Sequence, residues 1–151
     1  MAEVKSTQTT SAAAGSKLLP NADGGRRRMF FAEYLAPAST QAVSDTIYLG
    51  DLPKGARICK DWVVSFSTGT ASCTIDVGFR SKATGTVINV NGIAAAVAIT
   101  TAGQSGLNNG SSLNAGLSYV TTEVVEVYAT IRTAVLAASQ KLVIEGSYVQ
   151  D

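Results

Sequence analysis

From residue 29 onward the chain alternates apolar and polar residues with period two, and before it almost no such pattern exists. Alternation of this kind puts successive side chains on opposite faces of a strand, one for a core and one for solvent. The first strand it predicts is residues 29–35, closed by Ala36-Pro37, and residues 46–49 form a second. Residues 51–55, Asp-Leu-Pro-Lys-Gly, read as a turn, because proline presets φ and glycine closes the bend. The next strand, 56–66, places Ile58, Trp62, Val64 and Phe66 on one face; Lys60 interrupts it, with a stem able to snorkel at a sheet edge. After a turn at 67–71, Cys73, Ile75, Val77 and Phe79 share one face of the cleanest strand, and Thr74, Asp76, Gly78 and Arg80 share the other. A simple hairpin of these two strands sets Cys59 near Phe79 and Cys73 near Ser65, too far apart to bond, and predicts free thiols.

Residues 86–90 and 93–99 flank Asn91-Gly92, a dipeptide that favours a two-residue hairpin turn. Residues 100–118 are rich in Gly, Ser, Asn and Ala, and read either as a surface loop or as a loop ordered by a neighbour. Residues 123–132 alternate again, with Val125, Val127, Ala129 and Ile131 inward. The last strand, 141–149, carries Leu142, Ile144 and Tyr148 on one face. No segment has the length and period of an amphipathic helix; residues 134–139 hold one helical turn at most. About eight short strands with turn signals between them predict an all-β fold, an antiparallel β-sandwich or jelly-roll-like barrel. The expected division is an extended N-terminal arm over 1–28 and a β body over 29–151.

The arm changes the picture. It is Ser/Thr/Ala/Gly-rich, its one apolar punctuation is Leu18-Leu19-Pro20, and it ends on Gly24-Gly25-Arg26-Arg27-Arg28. Such a segment buries too little to fold alone, so it is either a free tail or an arm that orders on a partner. Charge is uneven although the net value is only +1: five basic against two acidic residues in the first 28 give +3, leaving −2 on the remainder. A basic arm on an acidic body favours protein surfaces, modestly and in a salt-sensitive way. Three arginines behind a nearly neutral arm are too few to neutralise packaged nucleic acid. They suit bidentate pairing with carboxylates of another protein, against the plainer reading of a solubilising charge run beside a glycine hinge.

Candidate chemistry is thin. Histidine is absent, which removes the commonest general base and zinc ligand. Cys59 and Cys73 have no metal-ligand spacing. The carboxylates, Glu123 and Glu126 among them, read as outward strand or turn positions, and no catalytic motif appears. The expectation is no enzyme, no metal, no cofactor, no nucleic acid and no membrane, with synthesis in a cytoplasm and no signal peptide. The Asn109-Gly110-Ser111 sequon has no meaning without a secretory route. Phe30, Phe31, Tyr34, Tyr48 and Trp62 are expected in the core. Tyr119, Tyr128 and Tyr148 are candidates for a subunit interface.

The segment 47–58, with its Leu52-Pro53-Lys54-Gly55-Ala56 turn, resembles one in small structural proteins of tailed-phage heads. Thr74-Ile75-Asp76-Val77-Gly78-Phe79 and the ending 142–151 are similar to strands of the same proteins. The family is that of capsid decoration, or cement, proteins. The resemblance spans most of 47–151 and implies a β-rich, non-enzymatic virion protein on the outer surface of the capsid, as a homo-oligomer, a trimer. It implies the major capsid protein as partner. The arm lies outside the shared pattern; Leu18, Leu19, Arg26, Arg27 and Arg28 are its candidate capsid contacts. Two alternatives stand beside this reading. One is another virion component, a shell-forming coat subunit or a tail, neck or head-fibre protein. The other is a sugar-binding β module, which requires an exposed aromatic platform.

Overall fold

The period-two segments pair into two antiparallel sheets because each has one apolar face that needs cover. A computed structural model describes residues 14–15, 26–114 and 119–150. Among them are nine strands: β1 (Arg27–Leu35), β2 (Thr46–Leu52), β3 (Arg57–Ile58), β4 (Val63–Phe66), β5 (Thr74–Ser81), β6 (Val87–Ala98), β7 (Gly103–Gly106), β8 (Val125–Arg132) and β9 (Lys141–Val149). One short helix, α1 (Ser111–Asn114), lies between β7 and β8. The first sheet runs β1-β9-β4-β7, with β3 also on β9; the second runs β2-β8-β5-β6. β3 and β4 follow one another along the same edge of β9, so they act as one interrupted strand. Counted that way, eight strands alternate between the sheets except at β5–β6, which is the double Greek-key order of a jelly roll. The all-β sandwich expected from the alternation is therefore the observed fold, with the jelly-roll connectivity decided by the sheets.

The inward positions match the periodic reading closely. Cys73, Ile75, Val77 and Phe79 of the β5 segment, and Val125, Val127, Ala129 and Ile131 of β8, are fully buried. They meet Phe30, Ile58, Trp62, Val64, Leu142 and Ile144 from the opposite sheet. Both cysteines are free thiols, and burial pushes the Cys73 thiol up.

Four local expectations are corrected. The 56–66 and 73–80 segments do not form a hairpin: β4 pairs with β9 and β7, and β5 with β6 and β8, in the other sheet. Both segments carry an apolar face, and burying two such faces against each other requires opposite sheets rather than one. Second, Asn91-Gly92 is not a turn but the middle of the 12-residue β6. Pairing with β5 slips there, and a Cβ on Gly92 would fall 2.5 Å from Phe79 Cζ, so glycine serves close packing. Third, the described part of the 100–118 segment, residues 100–114, is tied down by its own body. β7 pairs with β4, Leu107 and Leu113 are fully buried, and Asn89 donates to the α1 hydroxyls of Ser111 and Ser112 at 2.8 and 2.9 Å. Fourth, Phe31 and Tyr48 are exposed rather than core, at 61% and 54%.

Candidate functional site

The strand that leaves the arm is where the surface departs from ordinary solvent-facing chemistry. β1 starts at Arg27, two residues before the alternation predicts, because backbone pairing with Val149 and Tyr148 extends it through the two arginines. Its inward side chains, Phe30, Ala32 and Tyr34, pack on the core. Its outward ones are Met29, Phe31 and Leu35, 72%, 61% and 64% exposed, with Glu33 between them. β1 is thus apolar on both faces, the pattern of a strand buried on both sides. Yet among the described residues it pairs with β9 alone, so its other edge is open. The sequence signal was present: Met29-Phe30-Phe31 is a continuous apolar run where clean alternation would put a polar residue at 29 or 31.

The N-terminal end of β1 is anchored by a polar cluster that no short motif announces. Between β3 and β4 the chain bulges by two residues relative to β9, around Gly146-Ser147. The bulge brings Trp62 over Gly146, where a Cβ would lie within 2.5 Å of three indole carbons. The carbonyl of Ser147 accepts from the Trp62 indole N–H and from the Cys59 amide, each at 3.0 Å. Trp62 also stacks on Phe30 of β1, with centroids 4.8 Å apart. Asp61 accepts from the Ser147 amide at 3.2 Å and hydroxyl at 2.8 Å, and pairs with Arg27 Nη2. Arg27 Nε donates to the Ser147 hydroxyl at 2.8 Å. Partial burial pushes the Asp61 carboxyl up, but the hydrogen bonds from Ser147, Arg27 and its own backbone, with the Arg27 charge, hold it below its ordinary value. Lys60, in this bulge, is exposed and needs no snorkelling.

The outer face of the second sheet is a different surface. Arg80 pairs with Glu126 at 2.6 Å and Arg132 with Asp76 at 2.9 Å, so Glu126 is ion-paired rather than simply solvated. Lys82 pairs with Asp51, which raises the lysine, and Asp51 also accepts from the exposed Tyr48. Arg80 covers the Tyr128 ring at 5.3 Å. Burial pushes the Tyr128 phenol up, against the pull of Arg80 and Arg132, and its hydroxyl has no hydrogen-bond partner among the described residues. Opposite charges cancel along this face, leaving no single-sign field for a polyanion.

Of the candidate contacts, Leu18 and Leu19 lie outside the described residues. Arg26 and Arg28 are exposed; the Arg26 carbonyl accepts from the Gln150 amide at 3.0 Å. Tyr119, Tyr128 and Tyr148 are not brought together. Tyr119 stacks on Phe79 at 4.6 Å, Tyr128 lies on the outer face of β8, and Tyr148 packs against the core from β9.

Among the described residues no group of three or more Cys, Asp or Glu is placed to hold a metal ion, and no helix is long and apolar enough to cross a membrane. A groove of about 230 Å³ beside Ser65, Phe66, Gly103 and Lys141 falls below the size of ordinary small-molecule sites. What the surface offers is an apolar strand edge framed by charges, suited to contact with a protein.

No protein-family model matches the chain, and no curated protein matches it. Solved structures do. The chain is similar to one from the capsid of Ralstonia phage GP4, with 18% identity, a TM-score of 0.65, and 89% of this chain and 92% of that one covered. It is also similar to a chain of the capsid asymmetric unit of cyanophage Pam1, with 14% identity, a TM-score of 0.57, and 85% and 88% covered. At these identities the likeness is one of fold, over nearly the full length of each chain.

Proposed function

We propose that this chain is a non-enzymatic virion structural protein, a decoration protein that binds the outside of a phage capsid and staples neighbouring major capsid subunits. The observation that carries the reading is β1: the strand continuing from the arm is apolar on both faces and sits at an open sheet edge. A surface of that kind is a liability in a free monomer and an asset in an assembly that covers it. Likeness of fold to chains of two phage capsids supports the same class. So does the sequence resemblance, from which a trimer is the proposed homo-oligomer. In this reading the arm runs over the shell with Leu18, Leu19 and the arginines as its contacts. It gains contact area across several subunits in exchange for ordering entropy.

The test removes residues 1–25, which spares β1. Full-length protein should co-sediment with shells lacking decoration protein, and the truncated form should not, while its circular dichroism stays β-rich. Stoichiometric binding by the truncated form would refute the role of residues 1–25, Leu18 and Leu19 included. Electron microscopy of the purified protein alone separates the main alternative, a shell-forming subunit: it should show no particles, and closed particles would favour that alternative.

A further inference from the structure

We propose that β1 is a self-pairing edge: two copies of this chain join antiparallel through β1, across a two-fold axis centred on Phe30. The proposal stands on the geometry of the strand and does not depend on shell binding. The Gln150 amide donates to the Arg26 carbonyl and the Ala36 amide to the Gln140 carbonyl. In an antiparallel ladder hydrogen-bonded pairs alternate, so the even residues of β1 turn their backbone groups to β9. The odd residues, 27, 29, 31, 33 and 35, turn theirs to the open edge. The same odd residues carry the exposed outward side chains.

A two-fold axis perpendicular to the sheet keeps outward residues opposite outward residues, so only registers with an even residue sum are allowed. The register centred on Phe30 sets Arg27 opposite the partner's Glu33, Met29 opposite the partner's Phe31, and the same pairs again by symmetry. Every outward pair over residues 27–33 is then either opposite in charge or apolar on apolar, the two kinds that stabilise cross-strand neighbours. Moving the centre to Phe31 sets Arg27 opposite the partner's Leu35 and Met29 opposite the partner's Glu33. Moving it to Met29 sets Arg27 opposite the partner's Phe31 and leaves Glu33 without an outward charge to face. Charge complementarity therefore selects the Phe30 register.

The charges are already held in place. Arg27 is bound to Asp61 and Ser147 yet is 63% exposed at its side chain, and Glu33 is held by Lys141 at 2.9 Å while 50% exposed. Pairing would build two networks of alternating sign, each running Asp61, Arg27, the partner's Glu33 and the partner's Lys141. The contact is isologous, so it joins copies in twos and can link clusters formed through any other face.

The test uses two full-length charge variants, R27E and E33R, and light scattering with size exclusion. Alone, each variant puts like charges opposite each other twice, and its mass should be half that of the wild type. In the mixture, an R27E chain is acidic at both positions and faces an E33R chain that is basic at both. Opposite charges then meet at each of the two pairs, so the mass should double back. Phe31→Asp should halve the mass irreversibly, with unchanged circular dichroism. Variants that keep the wild-type mass alone, or a mixture that does not double, would overturn the proposal. So would wild-type protein of monomer mass whose β1 variants lose only shell binding, which would assign the edge to the shell.

Discussion

Gly146→Ala is the sharpest perturbation of the region that positions β1. A Cβ at 146 would lie within 2.5 Å of three carbons of the Trp62 ring, against the ~3.5–4.0 Å at which carbon atoms pack. Gly146 lies inside β9, paired with Phe30 of β1, and its neighbour Glu145 pairs with Val63 of β4 on the other side, so its backbone has little room to move. The ring must therefore move by about 1 Å or more, within a core packed at crystal-like density. Trp62 is fully buried and stacked on Phe30, so overpacking costs about 1–3 kcal/mol. Displacement also pulls the indole N–H from the Ser147 carbonyl, and a buried donor left without its partner costs about 1–3 kcal/mol. The sum is about 2–6 kcal/mol, which at roughly 3 °C per kcal/mol for a chain of this size lowers Tm by about 6–18 °C. Trp62 is the single tryptophan, so its fluorescence reports the ring directly while thermal denaturation reports stability. On a W62L background the same glycine substitution should cost less than half as much, because the two sites share one volume. A G146A protein with Tm within about 2 °C of wild type and unmoved tryptophan emission would refute the packing account.

Asp61→Asn should flatten the acid limb of the stability curve. The folded Asp61 carboxyl is held below its ordinary value, so its contribution is full above the unfolded pKa of about 3.9 and is lost as pH falls through the lower folded value. Denaturant titrations from neutral pH down to that range check the sign; a slope identical to wild type would count against the Arg27–Asp61–Ser147 cluster. The buried Cys73 thiol should be protected from a thiol reagent in the native state, and both thiols should react after denaturation, because neither is in a disulfide. Native reaction of Cys73 as fast as that of Cys59 would contradict the burial.

The alternation of apolar and polar residues sufficed to establish the all-β class, the inward faces of β5 and β8 and the limits of β9. A half-buried strand writes its burial into its own period, and no distant residue is needed to read it. Strand partners are another matter. Residues 58–66 and 73–79 look like hairpin neighbours in sequence, and only the tertiary structure sends them to opposite sheets, because a core needs two apolar faces to meet. Asn91-Gly92 has the chemistry of a turn, yet the Phe79 ring and the slipped β5–β6 register claim that glycine for packing. The Arg27–Asp61–Ser147 cluster gathers residues 34 and 86 positions from Asp61, a spacing no local motif encodes. The apolar run at Met29-Phe30-Phe31 was legible from the start. What only the fold decided is that this strand lies at a sheet edge, where its second apolar face and its free backbone groups meet whatever the assembly supplies.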